Sequence, residues 1–427
     1  MTRRGFLGVA AAATAQAQNR TPNVIILFAD DMGYGDLACF GHPTIRTPNL
    51  DRMAAQGIRL TSFYAAASVC TPSRVGLLTG RYPLRAGQPN NLGPDSKGGL
   101  RLTEILLPQV LKSRGYRTKM IGKWHLGHDP VEHLPTHRGF DSYFGLLYSN
   151  DMIPPWVKTE KPLELYRDTQ SLGELGDQSD LTTRYTEEAV AFIQSAGSSP
   201  YFLYMPYAMP HLPISAPAKF RGRSRAGLYG DVVETIDWSV GEILKNVDDN
   251  TLVIFTSDNG PWHDLPPRML QKGVEPWYAG SKNLLRGAKG STWEGGLREP
   301  FIARWPGVIP AGQTSADMAS TLDLFPTIAK IAGAKLLDDR VYDGFDILPF
   351  LRGEASSPRK SFFYFSGPNC EGHRDGSWKV RKARGSEKAE LFNLDIDPAE
   401  RYDRFNGNRE MGDRMLARMR EFEAEIK

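Results

Sequence analysis

The sequence predicts an α/β fold: a mostly parallel sheet covered by helices on both faces, then a smaller C-terminal antiparallel sheet plus a helix. Three observations carry this. Short apolar, β-branched runs such as PNVIILFA (22–29) and TLVIFT (251–256) read as buried strands. Helical stretches alternate with such runs, which is the pattern of a parallel sheet. After about residue 340 the rhythm changes to short consecutive strand-like segments.

The elements follow in order. The strand at 22–29 ends at Asp30-Asp31. Thr47 as N-cap, Pro48 and Asp51 start a helix that Gly57 stops, and 58–64 is the next strand. Cys70 to Thr79 is a helix closed by Gly80. A helix over 104–114 ends at Gly115, and 117–121 is a strand. The helix at 181–196 turns Leu181, Ala189, Val190 and Ile193 inward, and 201–205 is a strand. The helix at 229–247 has an apolar stripe of Val232, Val233, Ile236, Val240, Ile243 and Leu244. The strand at 251–256 ends at Ser257-Asp258-Asn259-Gly260. SFFYF (361–365), SWKVRKA (377–383) and AELFNL (389–394) read as antiparallel strands, and 408–426 as a charged helix. The expected organisation is a leader at 1–17, a large α/β domain at 18–345 and a C-terminal α+β subdomain at 346–427.

Composition excludes several classes. The 427 residues are 41% hydrophobic and 24% charged, an ordinary globular mix. A net charge of +3 gives no electrostatic case for nucleic acid. No apolar run is long enough to be a stable membrane anchor. Three cysteines cannot form a disulfide framework. Cys39 and Cys370 read as unmodified thiols, with a disulfide between them as the minor alternative. The opening Arg3-Arg4-Gly5-Phe6-Leu7, an Ala-rich stretch and Ala15-Gln16-Ala17 resemble a twin-arginine export signal with an A-x-A cleavage site. That predicts a periplasmic or secreted bacterial protein.

Asp30-Asp31 and Asp258-Asn259 each follow a strand run, and ligands gather at the carboxyl ends of parallel strands. If the two strands are neighbours, the carboxylates would need a hard divalent cation, Ca²⁺ or Mg²⁺. Asp-Asp and Asp-Asn-Gly are equally ordinary turn chemistry, so spacing alone leaves two unrelated turns open.

Ser68-Val69-Cys70-Thr71-Pro72-Ser73-Arg74 holds Cys-x-Pro-x-Arg, followed by Leu77-Leu78-Thr79-Gly80-Arg81. This closely resembles the signature of the type I, formylglycine-dependent sulfatases. Gly122-Lys123-Trp124-His125-Leu126-Gly127, Pro210-His211 and Leu285–Thr292, with Lys289 before Glu294-Gly295-Gly296, match further motifs in the family's order. Ser149 matches a more variable serine that contacts substrate. GRYPLRAG, GKWHLGH and GSTWEGGLREP are most similar to the N-acetylgalactosamine-6-sulfatase and arylsulfatase A subgroup.

The resemblance implies an alkaline-phosphatase-like fold, a large mixed sheet sandwiched by helices. It implies Cys70 oxidised to formylglycine by a formylglycine-generating enzyme. It implies a metal, Ca²⁺ before Mg²⁺, on Asp30, Asp31, Cys70, Asp258 and Asn259. The implied catalytic set is Cys70, Arg74, Lys123, His125, His211 and Lys289, with Ser149, Lys123, His211 and Lys289 on substrate. In that chemistry one hydroxyl of the hydrated aldehyde attacks sulfur, and the other, once deprotonated, collapses to expel sulfate. Asp258 helps activate the attacking hydroxyl, His211 and Lys289 serve the leaving oxygen, and His125 drives the collapse. An imidazole suits both proton steps because its ordinary pKa is ~6.5.

Taken singly, these residues have plainer readings: hydrogen-bonded structural histidines and solvated lysines. GAKGST lacks the spacing of a phosphate loop, which excludes a nucleotide site. His128 beside GKWHLG reads as a solvated loop residue, with the pocket wall as the alternative. Trp156, Trp262, Trp277 and Tyr278 read as exposed loop aromatics suited to a sugar, or as packing between loops. The expected function is release of sulfate from a sulfated carbohydrate. The alternatives are a phosphonate monoester or phosphodiester hydrolase, and a non-catalytic sulfated-glycan-binding protein.

Overall fold

A computed structural model describes residues 20–426; the export label at 1–17 lies outside the described residues. The main sheet contains, in chain order, β1 (Asn23–Ala29), β2 (Ile58–Tyr64), β3 (Arg117–Lys123), β4 (Ser142–Leu146), β5 (Glu164–Arg167), β6 (Gln170–Glu174), β7 (Tyr201–Pro206), β8 (Thr251–Ser257), β9 (Arg298–Arg304), β10 (Gln313–Ser315) and β11 (Ala319–Ser320). The spatial order is β10-β2-β9-β8-β1-β7-β3-β4-β5-β6, with β11 paired to β2. The five central strands, β8-β1-β7-β3-β4, are all parallel. Antiparallel β9 on one flank and β5 with β6 on the other make the whole sheet mixed. β1 and β8 are buried along their whole length, as continuous apolar runs between helical layers must be.

The helices α1 (Pro48–Ala55), α2 (Cys70–Thr79), α3 (Leu107–Lys112), α4 (Leu181–Ser195), α5 (Gly227–Leu244) and α6 (Leu324–Ile331) flank the sheet or its ends. The expected boundaries hold within one or two residues except at α3, which starts only at Leu107, with Pro108 in its first turn, and at the end of α5, which stops at Leu244 rather than 247. Thr47 precedes α1 but makes no capping bond to it. Its hydroxyl instead donates to Asp51 at 2.9 Å. The sequence-based expectation lacks β4, β5, β6, β9, β10, β11 and α6, and also the strand at Asn369–Asp375; they are short, or carry glycine and charge, so their periodicity is weak.

The C-terminal sheet is antiparallel: β12 (Ser361–Ser366), β13 (Asn369–Asp375), β14 (Trp378–Arg381) and β15 (Glu390–Asn393), in that order. The helix α7 (Arg409–Ile426) packs on it. The aromatic run of β12 buries Phe362 and Tyr364 against Tyr64 and Tyr82 of the larger unit. No helix among the described residues is long and apolar enough to cross a membrane. Cys39, Cys70 and Cys370 form no disulfide.

Candidate active site

The five parallel strands end on one rim, and each delivers a polar or ionisable residue at or beyond its carboxyl end. β1 delivers Asp30 and Asp31, β8 delivers Asp258 and Asn259, and β7 leads to His211. β3 ends in Lys123 itself, and β4 leads to Ser149. Gly122 makes the β3 ending possible: at φ +124°, a Cβ there would lie 1.8 Å from the Pro206 carbonyl oxygen. Asp31 (φ +63°) and His125 (φ +59°) both occupy the left-handed region. Few non-glycine residues do so, and the type of residue is one that tolerates it.

The ion pairs are tight. Lys123 Nζ donates to Asp30 Oδ2 at 2.6 Å and to Ser149 Oγ at 3.1 Å. Lys289 Nζ lies 2.7 Å from Asp31 Oδ1. Arg74, fully buried, donates from Nη2 to Asp258 Oδ2 at 2.8 Å and from Nη1 to the Lys123 carbonyl at 2.8 Å. Its Nη2 is also 3.4 Å from Asp30 Oδ2. Cys70, the first residue of α2, places Sγ 3.5 Å from Asp30 Oδ1. The unpaired N–H groups of a helix start favour an anion there.

Both imidazoles have fixed tautomers when neutral, because a carbonyl can only accept. His211 Nδ1 donates to the Leu212 carbonyl at 2.6 Å, leaving the Nε2 lone pair 3.6 Å from Asp31 Oδ2. His125 Nε2 donates to the Leu92 carbonyl at 2.8 Å, and its buried Nδ1 has no partner among the described residues.

The oxygen donors of Asp30, Asp31 and Asn259 fit a hard cation, whereas an unmodified Cys70 thiol and the His211 imidazole beside them do not. One ligand atom each from Asp30, Asp31, Cys70 and His211 lie within 4.8 Å of one another. Asn259 donates its amide to Asp31 Oδ1 at 2.7 Å, while its buried Oδ1 has no hydrogen bond among the described residues. An orphaned amide oxygen among carboxylates is what an oxygen-ligated cation uses. The electrostatics agree. Burial, then the charge of Asp30, pushes the Asp258 carboxyl up to about 7 against the pull of Arg74. Burial raises Asp31 as well, with Lys289 opposing. Asp30 is the exception: burial would raise it, but the charge of Lys123 above all, with Arg74, holds it well below the usual range.

Burial also pushes the Cys70 thiol up, so an unmodified thiol stays protonated and is a poor nucleophile. Burial, then Lys123, pushes His125 well down; burial, then Lys289 and Lys123, does the same to His211. The imidazoles are therefore neutral in the free protein, and do not titrate near 6.5 as the sequence had suggested. The reason is their burial beside two ammonium groups.

A cavity of about 250 Å³ opens over this cluster, lined by Cys70, His125, Ser149, His211 and Lys289 among others. Its wall includes Trp262, as expected of an aromatic in this stretch. Trp156 is buried, which corrects the reading of it as an exposed aromatic: its carbonyl accepts from Arg268 at 2.7 Å and its ring packs in the core. Trp277 is exposed and does not line the cavity. Neither does His128, whose ring packs at a tilt against Tyr148 and bonds the Pro94 carbonyl at 2.9 Å. Asn91, Asp151 and Arg268 line the cavity and carried no sequence signal beyond Asp151's place two residues after Ser149. No sequence pattern singled out Glu299, fully buried on β9 with both carboxylate oxygens unpaired among the described residues; burial, then Asp258 and Asp31, drives its carboxyl well up.

The profile of the sulfatase family matches residues 22–334. Arylsulfatase A of Homo sapiens is 41% identical over 406 residues, covering 90% of this chain and 77% of that protein. N-acetylgalactosamine-6-sulfatase of Mus musculus is 42% identical over 417 residues, covering 92% and 77%. Among solved structures, a sulfatase from Pseudoalteromonas sp. superposes with a TM-score of 0.84 at 28% identity, covering 99% of this chain and 95% of that one. Ps i-CgsB in complex with k-i-k-neocarrahexaose gives 0.81 at 30% identity, covering 96% and 94%. Family profile, relatives and fold agree with the geometry: the chain belongs to the sulfatase family and is an enzyme that hydrolyses sulfate esters.

Proposed function

We propose that this chain releases sulfate from a sulfated carbohydrate, with Cys70 as the site of the nucleophile. The observation that supports it is that Asp30, Asp31, Cys70 and His211 come together, with Lys123 and Lys289 paired to Asp30 and Asp31, Asn259 bonded to Asp31, Arg74 joining Asp258 to Asp30, and His125 lining the same cavity. The sugar assignment rests on the named relatives and on the carbohydrate complex of Ps i-CgsB. When present, formylglycine at position 70 supplies the nucleophile, and a divalent cation on Asp30, Asp31, Asp258, Asn259 and residue 70 polarises a sulfate oxygen; we assign Ca²⁺ before Mg²⁺.

The chain's own residues do the rest. Lys123 and Lys289 stay charged because Asp30 and Asp31 outweigh the cost of burying them, so they can bind the ester's anionic oxygens. Ser149 orients Lys123. Arg74 locks Asp258 and the end of β3 in register. Lys289 and His211 face the leaving oxygen: Lys289 carries a proton in the free enzyme, and an incoming sulfate anion favours protonation of His211. His125, neutral with a bare Nδ1, is built to accept the proton whose loss expels sulfate.

The remaining assignments are proposals of the same reading. Residues 18–345 form the catalytic domain and 346–427 the subdomain. A formylglycine-generating enzyme modifies Cys70 before twin-arginine export to the periplasm. Mass spectrometry of the peptide spanning Cys70 tests the first step: the aldehyde is lighter than the thiol. Turnover of matched sulfate, phosphate and phosphonate esters tests the reaction, with sulfate expected to win. A preference for the phosphorus esters, or undiminished turnover by Cys70→Ala, would overturn it. Replacing Arg3 and Arg4 by lysine should stop export.

A further inference from the structure

The cavity wall carries two cations, and they differ. Lys289 is ion-paired with Asp31 at 2.7 Å. Arg268, on the other hand, uses only one end of its guanidinium. Its Nη1 donates to the Trp156 carbonyl at 2.7 Å and lies 3.9 Å from Asp151 Oδ2. Its Nε and Nη2 make no hydrogen bond among the described residues, and its side chain is 45% exposed. Those two groups form the edge of a guanidinium that matches a carboxylate or sulfate in bidentate fashion.

Asp151 is the opposite case. Its side chain is only 7% exposed, it lines the cavity, and no described group donates a hydrogen bond to its carboxylate. A nearly buried carboxylate that faces a largely apolar cavity and has no donor of its own wants donors from a ligand, and sugar hydroxyls are donors. Between these groups and the reaction centre stands Trp262. Lys289 Nζ is 4.6 Å and Arg268 Cζ 5.8 Å from its ring centroid, and the His211 ring is 5.6 Å away. The aromatic face ties both cations to the histidine in one wall.

We propose that Asp151 and Arg268 form a sugar subsite beside the sulfate pocket. It takes a sulfated sugar with a free hydroxyl for Asp151 and a second anionic group, a carboxylate or another sulfate, for the Nε/Nη2 edge of Arg268. This rests on the sulfated-carbohydrate reading above and narrows it to substrates carrying two anions. The cation contributes more than charge, because a lysine at 268 would keep the charge and lose the bidentate edge.

The test compares kcat/KM on four probes: 4-nitrophenyl sulfate, a hexosamine 6-sulfate, the same sugar joined to a hexuronate, and a disulfated hexosamine. The wild type should prefer one or both two-anion probes over the hexosamine 6-sulfate, and the preference should shrink with added salt. Which of the two is preferred identifies the second anion. Arg268→Gln should cut kcat/KM on the preferred probe roughly tenfold more than on 4-nitrophenyl sulfate, and Arg268→Lys should fall between. Asp151→Asn should lower all three sugar probes relative to the aryl ester. Equal effects on sugar and aryl esters, or no two-anion preference in the wild type, would overturn the proposal. Loss of all sulfate turnover by the wild type would instead defeat the underlying functional reading.

Discussion

Lys379 Nζ lies 3.1 Å from Glu294 Oε1, and neither side chain is exposed to solvent. The pair joins the two units of the fold, since Lys379 belongs to β14 and Glu294 follows the segment that bears Lys289. Lys379 also reaches Glu400 at 2.8 Å, and Glu400 Oε2 accepts from the Glu294 amide at 2.8 Å. Tyr64 and Tyr364 donate to the Glu294 carboxylate at 2.6 and 2.8 Å. The C-terminal sheet thus grips the turn that follows Lys289, which lines the cavity. Lys379→Met would strand buried carboxylate charge, and should destabilise the protein by about 3–5 kcal/mol in denaturant unfolding.

Glu400 gives the same cluster a pH dependence. Burial pushes its carboxyl up to about 7, Lys379 opposing and Glu294 reinforcing. The folded state therefore holds a proton that the unfolded chain releases above about pH 4.3. This group's contribution to stability is intact below that pH and is lost as pH rises toward 7. Glu400→Gln should flatten the fall in unfolding free energy between those pH values. An unchanged slope in matched urea titrations would count against this assignment.

Glu294 behaves in the opposite sense. Burial would raise its carboxyl, but Lys379, Arg298 and Arg374 hold it at about 2. Its contribution is present above about pH 4.3 and is lost as pH falls through 2. Glu294→Gln should therefore weaken the protein at neutral pH and lose less than the wild type on acidification, a difference readable by thermal unfolding at pH 7 and pH 3.

Arg74 serves three acceptors from two nitrogens, and lysine cannot reproduce those directions. Arg74→Lys should lower kcat/KM on 4-nitrophenyl sulfate by roughly 100-fold or more. The free energy of unfolding should also fall, because Asp258 and the Lys123 carbonyl lose buried donors.

Chelation should lower both activity and the unfolding temperature, and a divalent cation should restore them together, since a ligand that binds only the folded state stabilises it. Ca²⁺ should act at lower concentration than Mg²⁺. Asn259→Leu removes the orphaned Oδ1, and should raise the cation concentration needed for half-maximal recovery about tenfold or more.

Read along the chain, the apolar runs that end in Asp30-Asp31 and Asp258-Asn259 already marked strand ends and acid positions, and Cys70-Thr71-Pro72-Ser73-Arg74 already marked the chemistry. Both are local patterns, and local pattern is what a sequence displays directly. Other features were decided only by the packed sheet. β8, β1, β7, β3 and β4 had to be neighbours before Lys123 could meet Asp30 and Ser149, because strand order joins segments far apart in the chain. Asp151 and Arg268 share a wall across more than a hundred residues, with no common motif to announce them. The neutral state of His125 and His211 was equally invisible in the sequence. It follows from burial beside Lys123 and Lys289, and both the water lost and the charges gained are properties of three-dimensional distance.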